Sequence, residues 1–215
     1  MKYVYIAFLA PNNRMGRFIR FLTGNSYSHV ALSLDNTICE LFSFARRQRS
    51  IPLAGGFVTE YPDRYLSGYG DIPLMLVRIA LSDEDYLKLI KTLYDFSMRK
   101  KDLIYNSIDA VTVSLFRKHV PIKDSYTCLS FCCLLLGLQQ FFSISELEKN
   151  LDGETVFTGS YSEYVTDSTD HEHDRLFFER VNPVRVVSVT IHHFSRLLLR
   201  LILTLYGSFR SREDR

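Results

Sequence analysis

The chain predicts an α+β fold, and three stretches carry that prediction. Residues 28–34 and 37–43 read as strands joined by Asp35-Asn36, a favourable two-residue hairpin turn. Ser82-Asp83-Glu84-Asp85 opens a helix with capping-box character that runs to about Arg99. A second, apolar helix spans about 126–138, with Cys128 at its start.

The remaining elements follow in order. Residues 3–9 read as a first, buried strand: the apolar stretch is short, alternates with aromatics and runs into Pro11-Asn12-Asn13 rather than a signal-peptide cleavage site. A helix is expected over 14–23. Residues 45–71 read as loop, first Arg-rich, then punctuated by Gly55-Gly56, Pro62, Gly68 and Gly70. A strand follows at 73–80. Within 105–117, Ile108, Val111 and Leu115 fit helical spacing. A short helical turn begins at Ser145, and strand-like pieces lie at 155–158, 176–181 and 184–191, with a polar loop over 162–175 among them. Residues 1–190 read as one domain and 191–215 as a basic, amphipathic helix and tail.

At 215 residues with 47% apolar and 23% charged side chains, the chain is an ordinary globular one. A net charge of +2 gives no general reason to expect nucleic acid. Cys39, Cys128, Cys132 and Cys133 show neither zinc-ligand spacing nor disulfide-scaffold density, so reduced thiols in a cytosol are expected. No cofactor or metal is called for. His171-Glu172-His173-Asp174 sits in an acidic loop with no supporting ligand pattern and reads as solvated.

The chemistry centres on Cys128 and His29. A thiol in the first turn of a helix faces unpaired backbone N–H groups and the positive end of the macrodipole, both of which favour thiolate. A histidine on a neighbouring strand is the proton partner such a thiol needs. His29 shares a strand face with small Ala31 and Ser33, while Val30, Leu32 and Leu34 form the opposite, apolar face. With a two-residue turn at 35–36, Glu40 falls opposite Ala31, one diagonal step of roughly 7–8 Å from His29. Glu40 is thus expected to orient the imidazole as the acidic member of a triad. That inference depends on the hairpin register.

These motifs resemble the circularly permuted NlpC-type branch of the papain-like cysteine hydrolases, in which the histidine strand precedes the cysteine helix. The matching stretches are 19–23 through Tyr27-Ser28-His29-Val30-Ala31-Leu32, then 40–47, Gly55-Gly56-Phe57-Val58 and Tyr126-Thr127-Cys128. The resemblance covers residues 1 to about 140. It implies an antiparallel sheet with the cysteine helix packed on it, a nucleophile at Cys128, a base at His29 and an orienting Glu40. It also implies an amide, peptide or acyl bond as the target, in a small-molecule, peptide, cell-envelope (peptidoglycan) or lipid-linked substrate, and a thioester intermediate. Where family members carry a serine after the nucleophile, this chain has Leu129. The alternative class is a membrane-associated binding protein that keeps the fold without turnover.

Further candidates have two readings each. The Tyr126 hydroxyl stands near the thiolate, or its ring packs. Arg46 and Arg47, near Gly55-Gly56, bind an anionic substrate group or sit in a solvated basic loop with Arg49. In the C-terminal stretch, His193, Arg196, Arg200 and Thr204 form a narrow polar stripe and apolar residues cover the rest, a wider apolar arc than a soluble surface helix carries. Such a helix either packs on the domain or a partner, or lies at an anionic membrane surface and makes the protein peripheral to it.

Overall fold

Alternating burial along short strands and a capped apolar helix assemble here into an α+β architecture. The computed structural model describes residues 1–12, 16, 17, 20, 24–52, 54–165 and 174–213, with 208–213 described by backbone alone. Strands β1 (Lys2–Leu9), β2 (His29–Ser33), β3 (Leu41–Arg46), β4 (Gly55–Glu60), β5 (Pro73–Leu81) and β8 (Glu154–Ser160) form one antiparallel sheet in the order β4-β3-β2-β1-β5-β8. Strands β6 (Ile104–Tyr105) and β7 (Ser125–Tyr126) pair in parallel beside it. The helices are α1 (Pro62–Leu66), α2 (Asp83–Met98), α3 (Ser107–Phe116), α4 (Cys128–Leu135), α5 (Ile144–Asn150), α6 (Tyr161–Tyr164), α7 (Arg175–Phe178) and α8 (Pro183–Glu213).

The sheet is covered on both faces. Val4, Ile6 and Phe8 of β1, with Val30 and Leu32 of β2, pack under Leu89, Leu93 and Phe96 of α2 and Phe131, Cys132 and Cys133 of α4. Ala7, Leu9 and Ala31 point the other way, onto Tyr65 of α1 and Tyr161 of α6. Burial on both sides explains why β1 reads as a nearly continuous apolar run.

The expected strand at 73–80, the helix from Ser82, the helix within 105–117, the cysteine helix and the strand at 155–158 are all present, with shifted ends. Ser82 caps α2, its hydroxyl accepting from the Asp85 amide at 3.0 Å. The helix expected over 14–23 lies for most of its length outside the described residues, as do His171 and His173.

Three expectations are corrected. The connection between β2 and β3 is not a two-residue turn but residues 34–40. There Asp35 accepts from the Thr37 amide at 2.9 Å, and Ile38 adopts φ +48° with its side chain fully buried. The added length moves the β2–β3 register by three residues, so that Leu32 faces Phe42 and Ser43 falls opposite Ala31.

Residues 45–71 are not loop throughout: they hold β4 and α1. Gly55 and Gly56 are not turn residues. A Cβ on Gly55 would lie 2.5 Å from the Ala45 carbonyl oxygen, and one on Gly56 2.4 Å from that of Leu103, so close backbone approach requires glycine there.

Residues 176–181 and 184–191 are not strands. Asp174 caps the single turn of α7, accepting from the Phe177 amide at 3.2 Å. Asn182 caps α8, accepting from the Arg185 amide at 2.8 Å, with Pro183 in the first turn. The β-branched run 184–191 is therefore helical despite its propensity, and the helix begins ahead of the expected boundary at 191.

Candidate functional site

Three elements converge on Cys128. The short strand β7 delivers the chain to Thr127, whose side chain caps α4. The Thr127 hydroxyl accepts from the Ser130 amide at 3.0 Å, and the Ser130 hydroxyl accepts from the Thr127 amide at 2.9 Å. Ser130 is thus a capping residue. Cys128 occupies the first helical position, where backbone N–H groups have no partner within the helix. It is 7% exposed. Leu129 is buried in the core with the sheet residues, so it contributes nothing to the rim of the site.

His29 opens β2, and α4 packs across β2 and β3. The imidazole shares a cavity wall with Cys128 and stands close enough for that group to raise its pKa. Its Nε2 lies 2.8 Å from Oε1 of Glu60, the last residue of β4. Glu60 is 1% exposed and fully partnered: Ser43 donates to Oε1, Tyr65 donates to Oε2, and the Arg64 guanidinium stands 3.6 Å from Oε2. Such an enclosed carboxylate is tolerated only because hydrogen bonds and opposite charges answer it.

Burial opposes the charged form of His29, but the Glu60 carboxylate and the hydrogen bonds with Cys128 and Glu60 outweigh it and raise its pKa to about 10. Burial likewise opposes ionised Glu60, and the charges of His29 and Arg64 overcome it, bringing the pKa down to about 2. Tyr65 is pushed well above its usual range by burial and by Glu60, which keeps its hydroxyl a donor.

Glu40, the acidic residue expected beside His29, is exposed in the β2–β3 connection. The register shift accounts for this. Ser43 takes the place expected for Glu40, and its hydroxyl bridges to Glu60 on the next strand. Glu60 carried no sequence signal, because β4 itself was not legible.

A cavity of about 580 Å³ opens beside Cys128 and His29, and its wall is largely apolar, with Phe44, Tyr65, Tyr105, Val111, Leu115 and Phe194 among its lining. Arg46 also lines it, stacked 5.4 Å from the centre of the Tyr69 ring and donating to the Tyr69 hydroxyl. Arg47 is turned elsewhere, donating to the carbonyls of Lys100 and Leu103, the latter at 2.9 Å. Tyr126 packs between Phe44 and Phe96, with ring centres 5.1 and 5.3 Å away, so the packing alternative describes it. Tyr105, by contrast, lines the cavity, as do Tyr65 and Tyr69. Tyr105 is buried close enough to Cys128 for a thiolate there to raise its pKa further after burial has done so. Its two-residue strand has no period to read.

None of the four cysteines is disulfide-bonded. Among the described residues, no group of three His, Cys, Asp or Glu side chains is placed to hold a metal ion. No family model, curated protein or solved structure matches this chain.

Proposed function

We propose that the protein is a cysteine acyl hydrolase or acyltransferase of the circularly permuted papain-like kind, with Cys128 as nucleophile, His29 as proton carrier and Glu60 as the residue that orients His29. The observation that carries this reading is the His29 imidazole, hydrogen-bonded through Nε2 to a buried carboxylate and lining, with Cys128, the wall of an apolar cavity.

In the first step the Cys128 sulfur attacks an ester, thioester or amide carbonyl. A C–S bond forms, the bond to the leaving oxygen, sulfur or nitrogen breaks, and the proton on His29 passes to the leaving group. In the second, water or another nucleophile attacks the thioester carbonyl. Its proton goes to His29, the C–S bond breaks, and the Cys128–His29 pair is restored. The tetrahedral oxyanion falls near the Cys128 backbone N–H at the start of α4.

Incubation with activated short-chain acyl thioesters and intact-mass measurement tests the reading. An acyl adduct on Cys128 is expected, absent in Cys128→Ala and in His29→Ala. Turnover losses of the two variants should not multiply in the double variant, since triad members act as a unit. A protein that binds acyl ligands but never forms the adduct would instead be a binding protein on this fold.

A further inference from the structure

Beside Cys128, the cavity wall holds four ionic side chains, His29, Arg46, Glu60 and Arg64. Three of them answer one another. Glu60 lies 2.8 Å from His29 and 3.6 Å from Arg64, and Asp174 meets Arg64 as a second carboxylate. The fourth has no such partner. Nη1 of Arg46 donates to the Arg49 carbonyl oxygen at 3.5 Å and Nη2 to the Tyr69 hydroxyl, both neutral acceptors. A guanidinium has five N–H donors. Among the described residues nothing else receives from that of Arg46, and no carboxylate pairs with it.

The half-buried Arg46 is nevertheless held in place. Its guanidinium stands 5.4 Å from the centre of the Tyr69 ring and 6.0 Å from that of Phe177. Rotamer freedom that a ligand would otherwise have to remove is already restricted. The neighbouring arginines differ. Arg47 gives its donors to the Lys100 and Leu103 carbonyls, and Arg49 is exposed and outside the wall. Helix α8 is long and apolar enough over Pro183–Gly207 to cross a membrane, but it lies along the domain on its polar stripe. His193 and Leu197 are buried there. Arg196 donates to the carbonyl oxygens of Lys101 and Asp102 at 3.3 and 3.2 Å, and Arg200 to those of Asp124 and Asp102 at 2.8 and 2.6 Å. These arginines are turned onto the domain, and Phe194 is the residue of α8 that lines the cavity.

A positioned cation without a counter-charge, in a largely apolar wall, is a site for an anion. The planar fork of a guanidinium matches the two oxygens of a carboxylate. Charge balance points to the same group: one arginine answers one negative charge, and a phosphate dianion would bring a second, unanswered charge close to Glu60. Register gives the side of the scissile bond. The pairing that sets Leu32 against Phe42 puts Ala45 opposite His29, and Arg46 follows Ala45 at the end of β3. His29 gives its proton to the leaving group, so the leaving group departs on the imidazole side.

We propose that Arg46 binds a carboxylate carried on the leaving part of the substrate, which selects acyl donors whose leaving alcohol, thiol or amine is an acid. The proposal rests on the acyl-hydrolase reading of the site.

Matched thioesters test it. One short acyl group is placed on 3-mercaptopropionate and on its neutral isostere 3-mercaptopropanamide, and thiol release and the intact mass of the protein are followed. The carboxylate substrate should be preferred about 10–100-fold in kcat/KM, mainly through KM, with the preference weakening in salt. In Arg46→Gln the ratio should fall close to one, whereas Arg49→Gln should keep it. A second pair, with the carboxylate or amide at the far end of the acyl group of a neutral thiol, should show no preference.

A wild-type ratio near one, or a ratio that survives Arg46→Gln, overturns the Arg46 subsite and leaves the hydrolase reading standing, since Cys128 is still acylated. Equal loss of the ratio in Arg49→Gln also overturns it, by making the preference an effect of overall loop charge. A preference confined to the second pair overturns the placement on the leaving side. The wild-type ratio decides even where Arg46→Gln does not fold. No adduct on Cys128 from any of these thioesters overturns the hydrolase reading and the subsite with it.

Discussion

The Nε2 atom of His29 lies 2.8 Å from Oε1 of Glu60, a residue 31 positions further along the chain and two strands away across the sheet. That bond leaves the Nδ1 edge of the ring for Cys128 and holds the imidazole in one orientation. Glu60→Gln replaces an acceptor that receives from His29, Ser43 and Tyr65 with a group half of which donates. Turnover on an acyl substrate is expected to fall about 10²–10⁴-fold, while Glu40→Gln, on an exposed loop, leaves it unchanged. Comparison of kcat/KM for the two variants checks this. An equal loss in both would show that Glu60 holds the fold and does nothing particular to His29.

The misplacement of the acid shows what was legible. Strand parity was: His29, Ala31 and the residue opposite Ala31 do share a face, as the period of two requires. The residue opposite is Ser43 rather than Glu40, because turn length depends on the tertiary burial of Ile38, which no local pattern reports. Cys128 was legible because an N-terminal cap is a local event. Glu60, Tyr105 and Arg64 were not, since each reaches the site through strand or helix pairings of long sequence separation. The C-terminal stripe of His193, Arg196 and Arg200 was seen, but its direction was not: periodicity finds two faces of a helix and says nothing of which one is buried.

Burial separates the cysteines. Cys132 is held well above the usual thiol range by burial and by its neighbour Cys128, and burial lifts Cys133 to about 11. Cys39 is half-buried, its sulfur 3.7 Å from the Thr37 carbonyl oxygen. Iodoacetamide at near-neutral pH is expected to modify Cys128 first, and more slowly in His29→Ala. Peptide mapping over a time course checks the order; early labelling of Cys132 or Cys133 would exclude Cys128 as the nucleophile.

The His29–Glu60 pair gives stability a defined pH window. The contribution of His29, whose pKa is raised from 6.5 to about 10, is complete below 6.5 and is lost as pH rises through 10. That of Glu60, lowered from 4.5 to about 2, is complete above 4.5 and is lost as pH falls through 2. The difference in melting temperature between wild type and Glu60→Gln should therefore be largest between about pH 4.5 and 6.5 and shrink on both sides. A difference that does not vary with pH would mean that the pair is not ionised in the folded protein.

Arg64 ties the site to the segment ahead of α7. It is 2% exposed, donates from Nε to Asp174 at 2.7 Å, stands over the Phe177 ring at 4.3 Å and faces Glu60 on its other side. Removal of one partner of a buried pair leaves an uncompensated charge, which typically costs about 3–5 kcal/mol. Asp174→Ala should come in at the low end of that range, because Glu60 remains, with Asp174→Asn milder. Denaturant unfolding of both variants measures it; a loss under about 1 kcal/mol would show that water answers Arg64 instead.

His193 makes the seating of α8 sensitive to acid. Burial, and the nearby charges of Arg47, Arg196 and His192, lower its pKa below 6.5, while a hydrogen bond to the backbone of Tyr105 works the other way. The neutral ring is the one that fits. The folded state therefore takes up this proton less readily than the unfolded chain, and the stability of the docked helix falls as pH drops below about 6.5. Because Phe194 lines the cavity, undocking disturbs the wall beside Cys128 as well. Hydrogen exchange of residues 190–204 should speed up from pH 7.5 to 5.5 beyond the intrinsic pH effect, and His193→Gln, which cannot take a proton, should flatten that dependence. Equal acceleration in wild type and variant would place the acid sensitivity elsewhere on the helix.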